Sequence, residues 1–147
     1  MTEARTPALR PEPAEGEPVR AEFAPDRRTY WRDHAWMAAL AMAGGMLILW
    51  AIGNPHVWAG AVGGLAAVAI RAWYLSDEEL AVRWLLTERR LLGPGGRAVR
   101  LAEIATIRIL GSAVQVVTQA GDKHLIKYQP DRDATKARIE RAMEGEP

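Results

Sequence analysis

Two long apolar runs stand out in an otherwise mixed pattern of polar and hydrophobic positions. Ala35 to Ile52 contains 18 consecutive residues without a charge, and as a helix this run spans about 27 Å, close to the hydrocarbon thickness of a bilayer. Gly53 to His56 supplies helix breakers, and Val57 to Ile70 forms a second, shorter apolar run. The pattern predicts a transmembrane helical hairpin over residues 29–75, and the alternative is a buried hairpin of a soluble bundle.

The positions of the tryptophans favour the membrane. The chain has six Trp but one Phe, and six of its ten aromatic residues lie at the ends of the two runs. They are Trp31, Trp36, Trp50, Trp58, Trp73 and Tyr74. A bilayer selects such belts because the ring is apolar while its N–H or O–H prefers water.

Basic residues flank the predicted hairpin on one side only. Arg27, Arg28 and Arg32 precede the first helix, Arg71 and Arg83 lie at or after the end of the second, and the connecting turn has neither Lys nor Arg. The positive-inside rule then predicts a multi-pass protein of the bacterial inner membrane with both termini in the cytoplasm.

Small residues recur at four-residue spacing in both runs. Gly60 and Gly64 form one pair, and Ala41 and Gly45 form another. Such spacing lets helix backbones approach closely. It suits packing of the two helices against each other, which we favour, and the alternative is docking of a partner helix or self-association.

The polar ends have different characters. Residues 1–28 are rich in proline and charge without apolar periodicity, which predicts a disordered tail. No apolar core of a cleavable signal peptide follows Met1. Ser76 to Glu79 reads as a turn or helix start at the membrane exit, so residues 76–147 are expected to form a separate cytoplasmic domain.

That domain begins with short β-type runs separated by glycine-containing turns. The runs are Val82–Thr87, Arg89–Gly93, Arg97–Leu101, Ile104–Leu110, Ala113–Gln119 and Lys123–Tyr128. They predict an antiparallel sheet. A C-terminal amphipathic helix should follow, with Asp131 as its N-cap and Ile139 and Met143 on its apolar side.

The order of these elements resembles the bacterial pleckstrin-homology-like (PH-like) membrane proteins of the membrane-flanked YdbS-like group. The resemblance rests on Leu86-Thr87, the charged residues 88–90 after it, the basic run Arg97–Leu101, Ile104 and Ile107, and the valine-rich run from Val114 to Gly121. A more distant likeness is to PuhB-type photosynthetic-complex assembly proteins. The resemblance implies an α+β membrane protein in which a PH-like antiparallel β-barrel, capped by a C-terminal helix, follows the hairpin.

The composition and the motifs of the chain exclude several kinds of functional site. The absence of cysteine excludes disulfides and thiolate sites, and a formal net charge of +1 gives no long-range field for nucleic acid. His34 and His56 fall at opposite ends of the hairpin, and His124 is expected to be solvated in a strand. No P-loop or nucleophile elbow is present. The sequence therefore predicts no catalytic residue, no metal site and no cofactor.

One basic cluster remains as a candidate contact surface. It consists of Arg89, Arg90, Arg97 and Arg100, which surround the glycine-rich turn at residues 93–96. Guanidinium groups beside a membrane can contact anionic headgroups. The alternative is a solvated hairpin whose arginines pair with Glu88 and Glu103.

These observations predict a non-enzymatic inner-membrane adaptor. It would act as an accessory or assembly subunit, with the lipid bilayer and another integral membrane protein, or a second copy, as its partners. The alternative function is binding of anionic lipid headgroups through the basic hairpin.

Overall fold

A computed structural model describes residues 10–145 of the chain, which form two compact units. One unit is Arg27–Glu79, and the other combines the residues before it with those from Leu80 onward. The architecture is α+β: two long apolar helices, antiparallel sheets and a C-terminal helix.

The first unit is a helical hairpin. Helix α1 runs from Arg27 to Ala51 and α2 from Trp58 to Ala81. Both are long and apolar enough to cross a membrane. Helix α2 continues through Ser76 to Glu79, so the predicted turn at the membrane exit is wrong. The reason is that this segment contains no Gly or Pro, so no helix breaker ends α2 there.

Two sheets make up most of the second unit. The strands are β1 (Val19–Phe23), β2 (Trp84–Thr87), β3 (Arg90–Leu92), β4 (Ala98–Arg100), β5 (Ile104–Leu110), β6 (Ala113–Thr118) and β7 (Lys123–Ile126). They pair antiparallel in the orders β1-β2-β3-β4 and β5-β6-β7. The predicted antiparallel strands are confirmed. Within residues 10–145 neither sheet closes on itself, so the predicted β-barrel is not confirmed.

Strand β1 corrects the prediction of a disordered tail over residues 1–28. Val19 to Phe23 pairs antiparallel with β2, and Arg27 and Arg28 already belong to α1. Phe23 is buried, with Ala21 packed against the same core. This short strand carries too little apolar surface to be recognised alone, and it becomes ordered because β2 supplies its hydrogen-bond partners. Residues 1–9 of the predicted tail lie outside the described residues.

The two sheets and the last helix share one hydrophobic core. Trp84, Leu91 and Val99 contribute from the first sheet, and Val114 and Val116 from the second. Side chains alternate along β6 between buried and partly exposed, as its period-two pattern predicts.

Helix α3, Arg132–Met143, packs against β5 and β6. Asp131 caps it as predicted, its carboxylate accepting a hydrogen bond from the Ala134 amide at 3.0 Å. Ile139 is fully buried, but Met143 is 36% exposed and Ala142 takes the buried position in the last turn. The buried face follows i, i+4, i+7 spacing from Thr135.

Candidate functional site

The turn between β2 and β3 is held by a buried hydroxyl. Thr87 is fully buried, and its Oγ1 accepts hydrogen bonds from the amides of Arg89 and Arg90 at 3.4 and 3.1 Å. The same hydroxyl lies 3.0 Å from the Arg90 carbonyl, to which it donates. The turn is therefore fixed from inside, and Glu88 and Arg89 are left exposed on its outer side.

Arg90 is tied to the segment that precedes β1. Its Nε and one terminal nitrogen donate to the two carboxylate oxygens of Glu17 at 2.9 and 2.5 Å. The hydrogen bonds from Arg90 are the main cause that lowers the pKa of Glu17 to about 2 from an ordinary 4.5. The same pairing raises the pKa of Arg90. A bidentate carboxylate–guanidinium pair of this kind fixes orientation as well as charge.

A second link joins the turn between β2 and β3 to the residue that follows β4. The Leu101 amide donates to the Arg89 carbonyl at 2.9 Å, and Arg90 lies opposite Arg100 in the β3–β4 register. Arg89, Arg90 and Arg100 consequently line one groove of about 860 Å³, which we call the arginine groove. Its other lining residues are Glu17, Pro18, Thr87, Glu88, Leu101, Ala102, Ala142, Met143 and Gly145.

The structure therefore brings together three of the four predicted arginines. Arg97 lies outside the arginine groove, at the other end of β4, and is exposed. The predicted ion-pair partners also differ. Glu88 pairs with Arg20 at 3.1 Å, and Arg90 pairs with Glu17 rather than with Glu88 or Glu103.

Sequence reasoning missed Glu17 and Arg20 because both lie in the segment predicted to be disordered. The one available signal was the alternation of Val19, Ala21 and Phe23 with polar residues. Over five residues that signal is too short to distinguish a strand from a tail.

The predicted helix-packing residues meet inside the hairpin. A Cβ on Gly60 would overlap the Gly45 backbone, and a Cβ on Gly64 would overlap the Ala41 backbone. By contrast, a Cβ added to Gly44 or to Gly63 would enter open space. The small residues Ala41, Gly45, Gly60 and Gly64 thus allow α1 and α2 to pack backbone against backbone.

A buried tyrosine links the beginning of α1 to the later part of α2. The Tyr30 hydroxyl donates to the Ala72 carbonyl at 2.6 Å, and Tyr30 is fully buried. The ring of His34 lies 4.1 Å from that of Tyr30, and its Nδ1 is 2.8 Å from the Tyr30 carbonyl. His56 lies in the turn at the opposite end of the hairpin, as expected. Over residues 10–145 no three His, Asp or Glu side chains converge as a metal site.

His124 is less solvated than predicted. Its ring packs edge-on against Trp84, with ring centroids 6.1 Å apart. Burial, together with the positive charge of Arg97, lowers the pKa of His124, while Asp122 acts in the opposite direction. The imidazole is therefore neutral at physiological pH and serves as a partly apolar packing group.

Comparisons of the chain with protein-family models, curated proteins and solved structures give no match.

Proposed function

We propose that this protein is a non-enzymatic adaptor of the bacterial inner membrane. Its hairpin anchors the chain, and its β-rich unit acts in the cytoplasm as a PH-like module. In this role the protein is an accessory or assembly subunit of a larger membrane-protein complex.

The exposed apolar surface of the hairpin carries the proposal. Trp36, Leu40 and Trp73 expose 68%, 71% and 77% of their surface. The core hairpin of a soluble protein buries its large apolar side chains, whereas these need an apolar surrounding that residues 10–145 do not provide. A bilayer supplies it, and the terminal tryptophans then lie at the two interfaces.

The connectivity of the sheet supports a two-pass topology. The hairpin is inserted between β1 and β2, which are hydrogen-bonded neighbours in one sheet. Because that sheet cannot form across a bilayer, both ends of the hairpin must emerge on the same side. Together with the arginines that flank the hairpin, this supports cytoplasmic termini.

The β-rich unit supports a PH-like assignment. Two antiparallel sheets, of four and three strands, share a core that a C-terminal helix completes. Exposed strand edges and grooves of such modules are typical sites for peptide recognition. Gly60 and Gly64 are occupied within the hairpin, so we place partner binding on the β-rich unit.

The test is affinity purification of the tagged full-length chain from native membranes in a mild detergent, followed by mass spectrometry. We expect a membrane protein to be recovered in stoichiometric amount. A tagged hairpin alone, residues 24–82, is the control for capture by detergent or by the apolar helices. Recovery of the full-length chain by itself, or of the same proteins with the control, would contradict the adaptor proposal.

A further inference from the structure

The arginine groove carries two cations that the described part of the chain does not balance. Arg89 and Arg100 are exposed, and neither forms an ion pair with a residue between 10 and 145. The neighbouring charges are paired: Arg90 with Glu17, and Arg20 with Glu88. The positive potential of the groove therefore comes from Arg89 and Arg100.

The register of β3 and β4 places two arginines of the groove side by side. Arg90 and Arg100 are directly opposite each other, and like charges in this position repel. Glu17 neutralises Arg90 through both carboxylate oxygens. Arg100, across the strand pair, has room for a second carboxylate that the described residues do not supply.

The rest of the lining is largely apolar. Pro18, Leu101 and Ala102 contribute to it, as do Ala142 and Met143 of α3. A groove of about 860 Å³ is in the size range of sites that enclose a peptide segment or a small molecule. A matching ligand needs carboxylates for the arginines and apolar side chains for this lining.

The chain itself places one acidic residue and its apolar neighbour in this groove. Glu17 is followed by Pro18, and this acidic residue and its apolar neighbour both line the groove. We infer that the remainder of the groove binds a short peptide segment that combines acidic with apolar side chains, contributed by the protein partner. A phosphate headgroup would satisfy the guanidinium groups but leave the apolar lining uncovered. The inference rests on the proposed adaptor function and names the chemistry of its partner.

The experiment uses the full-length chain in detergent micelles and a short fluorescein-labelled peptide of alternating Glu and Leu, with binding read by fluorescence polarisation. We expect saturable binding that weakens at least tenfold in the double variant Arg89→Glu/Arg100→Glu, because charge-assisted hydrogen bonds are replaced by repulsion. The matched control is Arg97→Glu/Arg108→Glu, which makes the same change in net charge at exposed arginines outside the groove. The control should bind as the wild type does.

Three outcomes would overturn the inference. One is that the wild-type chain does not bind the peptide, and another is that both double variants lose binding equally. The third is displacement of the peptide by glycerol 3-phosphate at a concentration similar to that of unlabelled peptide, which would instead indicate a headgroup site. A labelled peptide of alternating Lys and Leu should not bind, and equal binding of that peptide would also contradict the inference.

The two proposals fail separately. If the Arg89→Glu/Arg100→Glu chain still recovers the native membrane partner, the arginine groove is not the docking site and the adaptor function stands. If the wild-type chain recovers no partner, the adaptor function itself fails. Folding of the variant is checked by its circular-dichroism spectrum beside that of the Arg97→Glu/Arg108→Glu control.

Discussion

At the residue scale, glycines three positions apart on α2 meet different environments. A methyl group on Gly60 would overlap the α1 backbone at Gly45, whereas one on Gly63 enters open space. We expect Gly60→Ala to destabilise the hairpin by about 1–3 kcal/mol, as overpacking of a close contact does. Gly63→Ala should cause no loss, since alanine is the better helix former.

Thermal unfolding in detergent, followed by the fluorescence of the hairpin tryptophans, measures the difference between the two variants. Equal unfolding midpoints for Gly60→Ala and Gly63→Ala would contradict the backbone contact between α1 and α2.

The ion pair of Glu17 with Arg90 predicts a pH dependence. The folded pKa of Glu17 is about 2, below its ordinary 4.5. The folded state therefore gains stability from the ionised carboxylate above about pH 4.5 and loses this contribution as the pH falls toward 2. Glu17→Gln should remove this part of the acid sensitivity and lower stability at neutral pH.

The measurement for Glu17→Gln is the unfolding midpoint by near-ultraviolet circular dichroism between pH 2 and pH 7. Glu15→Gln is the control, because Glu15 is exposed and forms no ion pair with a residue of the described range. If the two variants show the same pH profile, the Glu17–Arg90 pair does not stabilise the fold.

At the element scale, α3 depends on its first residue outside the helix. The Asp131 carboxylate accepts from the Ala134 amide, one of the amides that have no partner within the helix. We expect Asp131→Ala to weaken the helix by about 0.5–2 kcal/mol, and Asp131→Asn to retain most of the cap. Faster amide hydrogen exchange over residues 132–138 in the alanine variant, compared with the asparagine variant, would show this weakening of the helix. Equal exchange in both variants would exclude a role for the cap.

A buried glutamine connects three segments of the β-rich unit at the same end of α3. Gln129 Nε2 donates to the carbonyls of Ala24 and Lys127 at 3.3 and 3.1 Å, and its Oε1 accepts from the Thr135 hydroxyl at 3.0 Å. These bonds fix the segment after β1 to the segment after β7 and to the first turn of α3. Among these bonds, the one to Ala24 joins positions 105 residues apart, so it arises only when the sheets assemble.

At the scale of the whole molecule, the proposed topology predicts which positions are reachable from outside the cell. The chain has no cysteine, so single cysteines can be introduced without a background. We expect a membrane-impermeant maleimide to label Pro55→Cys, in the turn between the helices, on intact spheroplasts. Ala14→Cys precedes the hairpin in the sequence and Ala120→Cys follows it, and both should react only after lysis.

Labelling of Ala14→Cys and Ala120→Cys on opposite sides of the membrane would contradict the pairing of β1 with β2 as well as the topology. Labelling of Ala14→Cys and Ala120→Cys but not of Pro55→Cys on intact spheroplasts would contradict the cytoplasmic location alone. Labelling of all three positions would contradict the membrane-spanning hairpin itself.

Much of the element order could be predicted from local pattern. The two helices, the strands from β2 to β7 and the Asp131 cap all carry their signal within a few residues: apolar runs of bilayer length, period-two alternation, glycine turns and a capping residue. The end of α2 was less predictable, because acidic residues after an apolar run also mark a helix start.

What the sequence by itself determined was therefore the kind of each element and the apolar character of the hairpin, since both depend on neighbours along the chain. Only the tertiary structure decided that β1 joins the sheet and that Glu17 rather than Glu88 neutralises Arg90. It also separated Arg97 from Arg89, Arg90 and Arg100, which the sequence had grouped. The physical reason is that strand pairing and ion pairing depend on contacts across the fold, which for Glu17 and Arg90 join positions 73 residues apart, and local periodicity contains no information about them.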